Sequence, residues 1–433
     1  MILAFALATA LAQNPTGNPS PSPRAWRDDQ GWRVWRSTGR TGAGYAFFEF
    51  APASGAGMGT ACACAAITSA NGTAIAVART GAATCAKQAN ATTGILNGDL
   101  VECTNNNEPR VESSAGNTSL RVEAAATNVL LRFIDIANAT WADVGTPILG
   151  GGQISPFSGG LSASAISMDD DAAGTQEGRT QTVTVTAAVA YTMSCYVKAL
   201  TTDQATISLD GTTASITGLS SSTWSLVSVT DASTSGVAVV AQILVGDAAA
   251  DTGSVIWGGC QVELRSQATR MIPTTAAAVT RNAEVPSVTM PVAMPGSTFC
   301  MAATIDVNGS PTTGVAYSII EGSQNVASGD VNLVYVFNSA RRVDLVASAV
   351  RQNSLAGATP PFGSGSTRYV SRFDGSTLDL FQNGVSIDSD TGAAITIDPL
   401  GYIYIGADNI PGSQLNGNIW NVQVDPSPSR CSL

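Results

Sequence analysis

YTMSCYVKAL, residues 191 to 200, places Tyr191, Met193, Cys195, Val197 and Ala199 at alternate positions, with Thr192, Ser194, Tyr196 and Lys198 between them. Successive side chains of a strand point to opposite faces, so this period of two describes a strand with one face buried. The same alternation runs outward on both sides. GRTQTVTVTAA (178–188), ATISLDG (205–211), WSLVSVTDA (224–232), VAVVAQILVG (237–246) and GSVIWGGCQVEL (253–264) follow at short intervals, separated by Gly, Ser, Asp and Thr clusters. Helical periodicity is hard to find. Many short strands at this spacing predict an all-β chain of antiparallel sandwiches or jelly rolls.

The stretch IPTTAAAVTRNAEVPSVTMPVAMPG (272–296) carries four prolines and marks a boundary, after which a second β pattern begins. STFCMAATIDVNG (297–309) reads as one strand and GDVNLVYVFNSARRVDLVAS (329–348) as a strand pair. RYVSRFDGSTLDLFQNGVSID (368–388) holds two turn signals, Asp374-Gly375 and Asn383-Gly384. Asn-Gly between alternating strands marks a type I′ hairpin, because both residues tolerate a positive φ. In GNIWNVQVD (417–425), Trp420, Val422 and Val424 share a face. The organisation expected is a leader-like segment and Pro-rich linker (1–23), a small N-terminal β module (24–122), a jelly roll (123–272), a linker (273–296) and a C-terminal sandwich (297–433).

The chain has 433 residues, enough for two or three domains, and 44% of them are apolar, enough for sizeable cores. Charged residues are only 12%, about half the usual share, so the polar surface is built from Ser, Thr, Asn and Gln. A net charge of −11 argues against a nucleic-acid partner, since no basic stripe exists to neutralise phosphates. The one basic patch, Arg24 to Arg40 interleaved with Trp26, Trp32 and Trp35, reads as a solvated or subunit-packing segment. MILAFALATALA (1–12) has the look of a secretory leader core without basic residues. No other apolar run reaches the ~18 residues of a membrane span.

Histidine is absent, which removes the commonest general base and metal ligand and the Ser-His-Asp and Cys-His arrangements. A glycosidase carboxylate pair needs only Asp and Glu and stays possible. The Glu-x-Asp-x-x-Glu strand of concanavalin-type glycosidases does not occur. Eight cysteines include one C-x-C, Cys62 and Cys64, but no C-x-x-C, so a zinc site is not expected. The first four suit either two disulfides or buried thiols.

Four ordered motifs stand out along the chain. Arg79-Thr80-Gly81-Ala82-Ala83-Thr84 precedes Asn107-Glu108-Pro109-Arg110; Glu123 leads into Thr127-Asn128-Val129-Leu130-Leu131 and then Asn138-Ala139-x-Trp141. Further on come Trp257-Gly258-x-x-Gln261-x-Glu263 and Ile272-Pro273-Thr274-Thr275 up to Val279-Thr280-Arg281. These motifs resemble those of a family of bacteriophage virion proteins, in which Phe usually stands where this chain has Ile136. The resemblance implies a carbohydrate-binding-module-like jelly roll between about 125 and 270. The last 140 residues look like a concanavalin/laminin-G-like sandwich, a fold many unrelated proteins share. The leader-like segment and the number of cysteines depart from what such a virion protein needs.

These readings imply a non-enzymatic tail-fibre or structural virion protein that presents sandwiches to a host glycan. Other virion proteins and copies of itself, as a trimer or fibre, would be its partners. The alternatives are a secreted bacterial adhesin or filament component and, behind it, a polysaccharide depolymerase. Trp141 and Trp257 are candidate sugar platforms, with core packing as the plainer reading. Asp169, Asp170 and Asp171 are candidate Ca²⁺ ligands, since a hard cation wants oxygen donors. Glu263, Asp374 and Asp408 are further candidates, against which stands the ordinary use of Asp in tight turns.

Overall fold

The computed structural model describes residues 110 to 431 apart from 115–116, 159–163, 172–173, 295–296, 308–316, 324–330, 338–339, 348–349, 358–365, 392–398, 408–413 and 430; before residue 110 it describes 24–27, 33–36, 47–48, 76–78, 83–86, 95–97 and 99–103. Every regular element among the described residues is a β-strand, and the pairings between these strands are antiparallel, as the period-two pattern requires.

The jelly roll is two sheets. One runs in the order Ile148–Gln153, Ala165–Asp170, Gly253–Glu263, Tyr191–Ala199 and Ser225–Asp231, with Ala126–Asn128 and Val279–Arg281 alongside. The other runs Ala142–Val144, Gly178–Thr184, Ala238–Val245, Ala205–Leu209 and Thr212–Ile216. Their facing sides interdigitate into one core that includes Trp141, Met168, Met193, Val197, Ile207, Ile243 and Trp257.

Tyr191–Ala199 is buried on both faces and not on one. Its inward residues join the inter-sheet core, as the alternation says. Its outward side is covered by a second apolar layer from distant chain segments: Leu100, Phe133, Phe157, Trp224 and Met271 close over Tyr196 and Ile256. Periodicity reports which residues alternate, and it is blind to a layer that another part of the chain lays on top.

The neighbouring strand carries a bulge. Tyr196 opposes Gly259 and Val197 opposes Trp257, so Gly258 is the extra residue. The bulge lets Trp257 and Cys260, three apart, both point into the same core. A Cβ on Gly258 would sit 2.5 Å from Pro156 Cδ and 2.8 Å from the Trp224 ring, so only glycine fits. Cys260 then lies opposite Cys195 at a Cα separation of 4.1 Å and forms a disulfide with it. A second disulfide, Cys300–Cys431, ties the C-terminal end to strand Phe299–Val307. Closing segments of 65 and 131 residues removes chain entropy worth roughly 4 to 5 kcal/mol each.

The C-terminal sandwich recruits strands from both ends of the sequence. Its eight-stranded sheet runs Val385–Thr391, Thr377–Gln382, Thr367–Phe373, Phe299–Val307, Gly417–Asp425, Asn117–Val122 and Arg110–Ser114, with Phe47–Phe48 also against Gly417–Asp425. Its seven-stranded sheet ends Leu400–Ile405, Val285–Met294 and Ala76–Ala78. Strands before the jelly roll therefore pair with strands after it, and the jelly roll is an insertion within a discontinuous sandwich. The Pro-rich stretch expected as a linker is split: Val279–Arg281 pairs with the jelly roll's Ala126–Asn128, while Val285–Met294 is a sheet strand. The hairpin signal at Asn383-Gly384 is met, with φ of 48° and 81° between the register partners Gln382 and Val385. Trp420, Val422 and Val424 lie together in the core.

This topology predicts unequal autonomy. A fragment spanning 124–282 should give one cooperative thermal transition by circular dichroism. A fragment spanning 283–433 lacks the strands that cover Gly417–Asp425 and should aggregate through that open edge.

Candidate functional site

Charged side chains converge at one place among the described residues, the junction of jelly roll and C-terminal sandwich. The hairpin Arg110–Ser114/Asn117–Val122 builds one side of it. Leu120 and Val122 alternate into the sandwich core. Arg110, Glu112, Ser119, Arg121 and, just beyond the strand, Glu123 occupy the opposite face and are all buried, at 1% exposure or less. Arg110 and Arg121 are register partners. Two like charges placed opposite each other need a counter-charge, and Glu123 supplies it.

Glu123 accepts from three guanidinium groups: Arg121 Nη2 at 2.5 Å, Arg110 Nη2 at 2.7 Å and Arg281 Nη1 at 2.7 Å. Arg110 also donates Nε to Glu284 Oε1 at 2.6 Å and Nη2 to Glu284 Oε2 at 2.5 Å. From the jelly roll, Arg270 grips Glu112 with two parallel bonds of 3.0 and 2.9 Å and donates its backbone N–H to Glu123 Oε1 at 2.8 Å. The Glu284 N–H donates to the Glu123 carbonyl at 2.9 Å, closing a two-strand neck between the sandwiches.

Glu263 sits at the jelly-roll side of this cluster. Its Oε1 accepts from Thr269 N at 2.6 Å and Gln261 Nε2 at 3.0 Å; its Oε2 accepts from Thr269 Oγ1 at 2.8 Å. Gln261 also takes the Ile272 N–H at 3.0 Å. Asn128 anchors the same corner, donating to the Ile272 carbonyl and accepting from Leu130 and Val262. Thr274 Oγ1 donates to the Leu130 carbonyl at 2.6 Å. Arg110, Glu123, Asn128, Gln261, Glu263, Thr274 and Arg281 come from motifs scattered over some 170 positions, and all of them meet here.

The electrostatics follow from burial set against pairing. Burial pushes the Glu123 carboxyl up, but Arg121, Arg281 and Arg110 overcome it and hold the group well below the usual range. Glu112 is likewise lowered, burial being outweighed by Arg270 and Arg121. Burial lowers the affinity of Arg110 for its proton, yet Glu284 and Glu123 raise it on balance. Glu263 has no ion-pair partner this close among the described residues, and burial pushes it up to about 7. Chemically the cluster is a closed set of neutralising pairs.

The other candidates lie apart. Trp141 and Trp257 are 1% and 0% exposed in the inter-sheet core, so neither ring presents a face on which a sugar could stack. Trp141 Nε1 points at the Arg132 carbonyl at 3.4 Å. Asp169 and Asp170 are neighbours on a strand and point to opposite faces. Asp170 is buried and accepts the Glu177 N–H at 2.9 Å, while Asp171 is exposed beyond the strand end. Asp374 Oδ1 accepts from Ser376 N, Ser376 Oγ and Thr377 N, which is turn chemistry that also lowers its pKa. Asp408 lies outside the described residues. The junction's full membership was missed from sequence, although a signal was there: the tripeptide Arg-Val-Glu occurs twice, at 110–112 and 121–123.

No protein-family model matches the sequence, and no curated protein matches it. Among solved structures, the chain is similar to the binding domain of botulinum neurotoxin DC in complex with SialylT, at 13% identity over 34% of this chain and 36% of that one, with a TM-score of 0.28. It is also similar to the Ruminococcus gnavus IT-sialidase CBM40 bound to alpha2,3 sialyllactose, at 15% identity over 30% of this chain and 77% of that one, with a TM-score of 0.26. The chain thus spans little more than a third of the neurotoxin domain. At these scores no ligand follows from the likeness.

Two outcomes follow for stability. Glu123→Gln leaves three guanidinium groups short of a buried counter-charge and should cost about 3–5 kcal/mol in urea unfolding. Glu263 holds its proton more tightly folded (about 7) than unfolded (4.5). The stability it contributes is therefore full below pH 4.5 and is lost as pH rises through 7, on the order of 3 kcal/mol in all. Glu263→Gln keeps the hydrogen-bonding shape and should flatten the decline between pH 5 and 8, measured by thermal melts.

Proposed function

We propose that the chain is a non-catalytic attachment protein, displayed outside a cell on a virion or surface filament, whose sandwiches meet neutral surface glycans. The observation that carries this reading is the division of polar chemistry. Among the described residues, buried charge gathers mainly in the closed junction, while the outward face of the five-stranded jelly-roll sheet is uncharged. There Thr180, Gln242, Ser208 and Thr213 form one row across the strands, and Thr182 lies opposite Val240 in the next. Thr182, Thr184, Thr213 and Ser215 are exposed, and Val240 is 41% exposed at the centre. No outward position on the paired strands of this sheet carries Asp, Glu, Lys or Arg.

Hydroxyl and amide groups match sugar hydroxyls in donor and acceptor capacity, and Val240 offers a small apolar contact. Such a face binds weakly per copy and gains avidity through multivalency in a trimer or fibre. The disulfides Cys195–Cys260 and Cys300–Cys431 suit an oxidising compartment. The motif resemblance supports the virion setting in particular.

The test is binding of the full chain to an immobilised panel of neutral and sialylated glycans, with reducing-sugar release measured in parallel. Retention on neutral glycans should fall at least about tenfold, or ~1.4 kcal/mol, in Thr182→Arg/Gln242→Arg, with no sugar released. Retention unaffected by that variant would overturn the assignment of the face. Released sugar would overturn the non-catalytic reading. Mass spectrometry of native particles and culture medium locates the chain.

A further inference from the structure

The two sandwiches are held internally by separate apolar cores and joined chiefly by charge. One buried cluster gathers around Phe299, Ile319, Leu380 and Trp420; another gathers around Trp141, Met193 and Trp257. No buried apolar cluster among the described residues contains side chains from both the jelly roll and the strands that follow it. The chain crosses between them twice, at residues 123–126 and 281–285, side by side. Around this neck the hairpin contributes Arg110, Glu112, Arg121 and Glu123, the jelly roll contributes Glu263, Arg265, Arg270 and Tyr196, and the return strand contributes Arg281 and Glu284. Outside the cluster, Asn416 Nδ2 reaches Gln267 Oε1 at 3.3 Å, and Leu100 packs on the jelly roll's outer layer.

We propose that this neck is an acid-released joint, which opens when Glu112 and Glu123 are protonated while both sandwiches stay folded. With Glu112 and Glu123 neutral, Arg110, Arg121, Arg270 and Arg281 face one another short of counter-charge in a site from which water is excluded. Arg110 and Arg121 are register partners, and Arg110 already opposes the charge on Arg281. Opening lets solvent reach four guanidinium groups. Buried carboxyls also lie within the sandwiches, Asp170 and Glu177 in the jelly roll and Glu321 and Asp425 in the C-terminal one, so the order in which neck and cores open as pH falls is what the experiment reads. Leu100, seated against Phe157 and Tyr196, remains as an apolar tether that protonation leaves untouched. The lowered pKa of Glu112 and of Glu123 places the opening below their ordinary titration range.

The experiment uses the full chain with its disulfides intact. Hydrogen exchange, corrected for intrinsic rate, is followed from pH 7 to 3 together with small-angle scattering and near-UV circular dichroism. The backbone N–H groups of Glu123, Arg270 and Glu284 donate within the joint. They should lose protection, and the radius of gyration should rise, at a pH where the near-UV signal of the buried tryptophans is unchanged. Glu284→Gln, checked for folding by the same signal, should move that midpoint to higher pH. Protection at the neck lost only together with the core amides would overturn the proposal, as would a midpoint that Glu284→Gln leaves in place. Should the variant fail to fold, the wild-type comparison of neck and core still decides.

Discussion

The contact among Glu123, Arg110, Arg121 and Arg281 is the constraint on which the rest of this molecule depends. Glu123 is fully buried and neutralises charge from three chain segments at once. It stands where the hairpin of the C-terminal sandwich ends and the jelly roll begins, so its position fixes both entry and exit of the inserted domain. Placing ions in an apolar interior is costly, and the arrangement is tolerable only because nearly every charge meets an opposite one at hydrogen-bond distance. Such a cluster contributes geometry more than net stability: few relative placements of the two sandwiches satisfy so many directional pairs.

The sequence displays much of this and hides the rest for physical reasons. Strand alternation in 191–199 and 237–245, and the Asn383-Gly384 turn, are local, and local chemistry writes them into neighbouring residues. The burial of Thr192, Ser194, Tyr196 and Lys198 is not local, because the covering layer comes from Leu100, Phe157 and Met271. The pairing of Gly417–Asp425 with Asn117–Val122 spans some 300 residues and leaves no periodic trace. Hence the N-terminal strands read as a module of their own when several of them complete a sheet at the other end of the chain.

The candidate site shows the same division. Arg110, Glu123, Gln261, Glu263 and Arg281 were visible as motif positions, but their identity as one ionic joint required the fold. Trp141 and Trp257 stood out as aromatic residues in a chain with few, and that scarcity is itself the reason they fill the core: little else has their volume. The aspartates of 169–171 are adjacent in sequence but divided by the strand's pleat. The outward face of the five-stranded jelly-roll sheet is hydroxyl and amide, on Thr182, Gln242 and Thr213.

The measurement that bears most directly on the central claim is a double-mutant cycle across the junction, pairing Glu112→Gln with Arg270→Met in urea unfolding at pH 7. Glu112 belongs to the C-terminal sandwich's hairpin and Arg270 to the jelly roll. A coupling energy of about 2 kcal/mol or more is the result expected if their paired bonds join the two domains. Additive effects, with coupling near zero, would contradict it and leave the sandwiches as neighbours that merely share a chain.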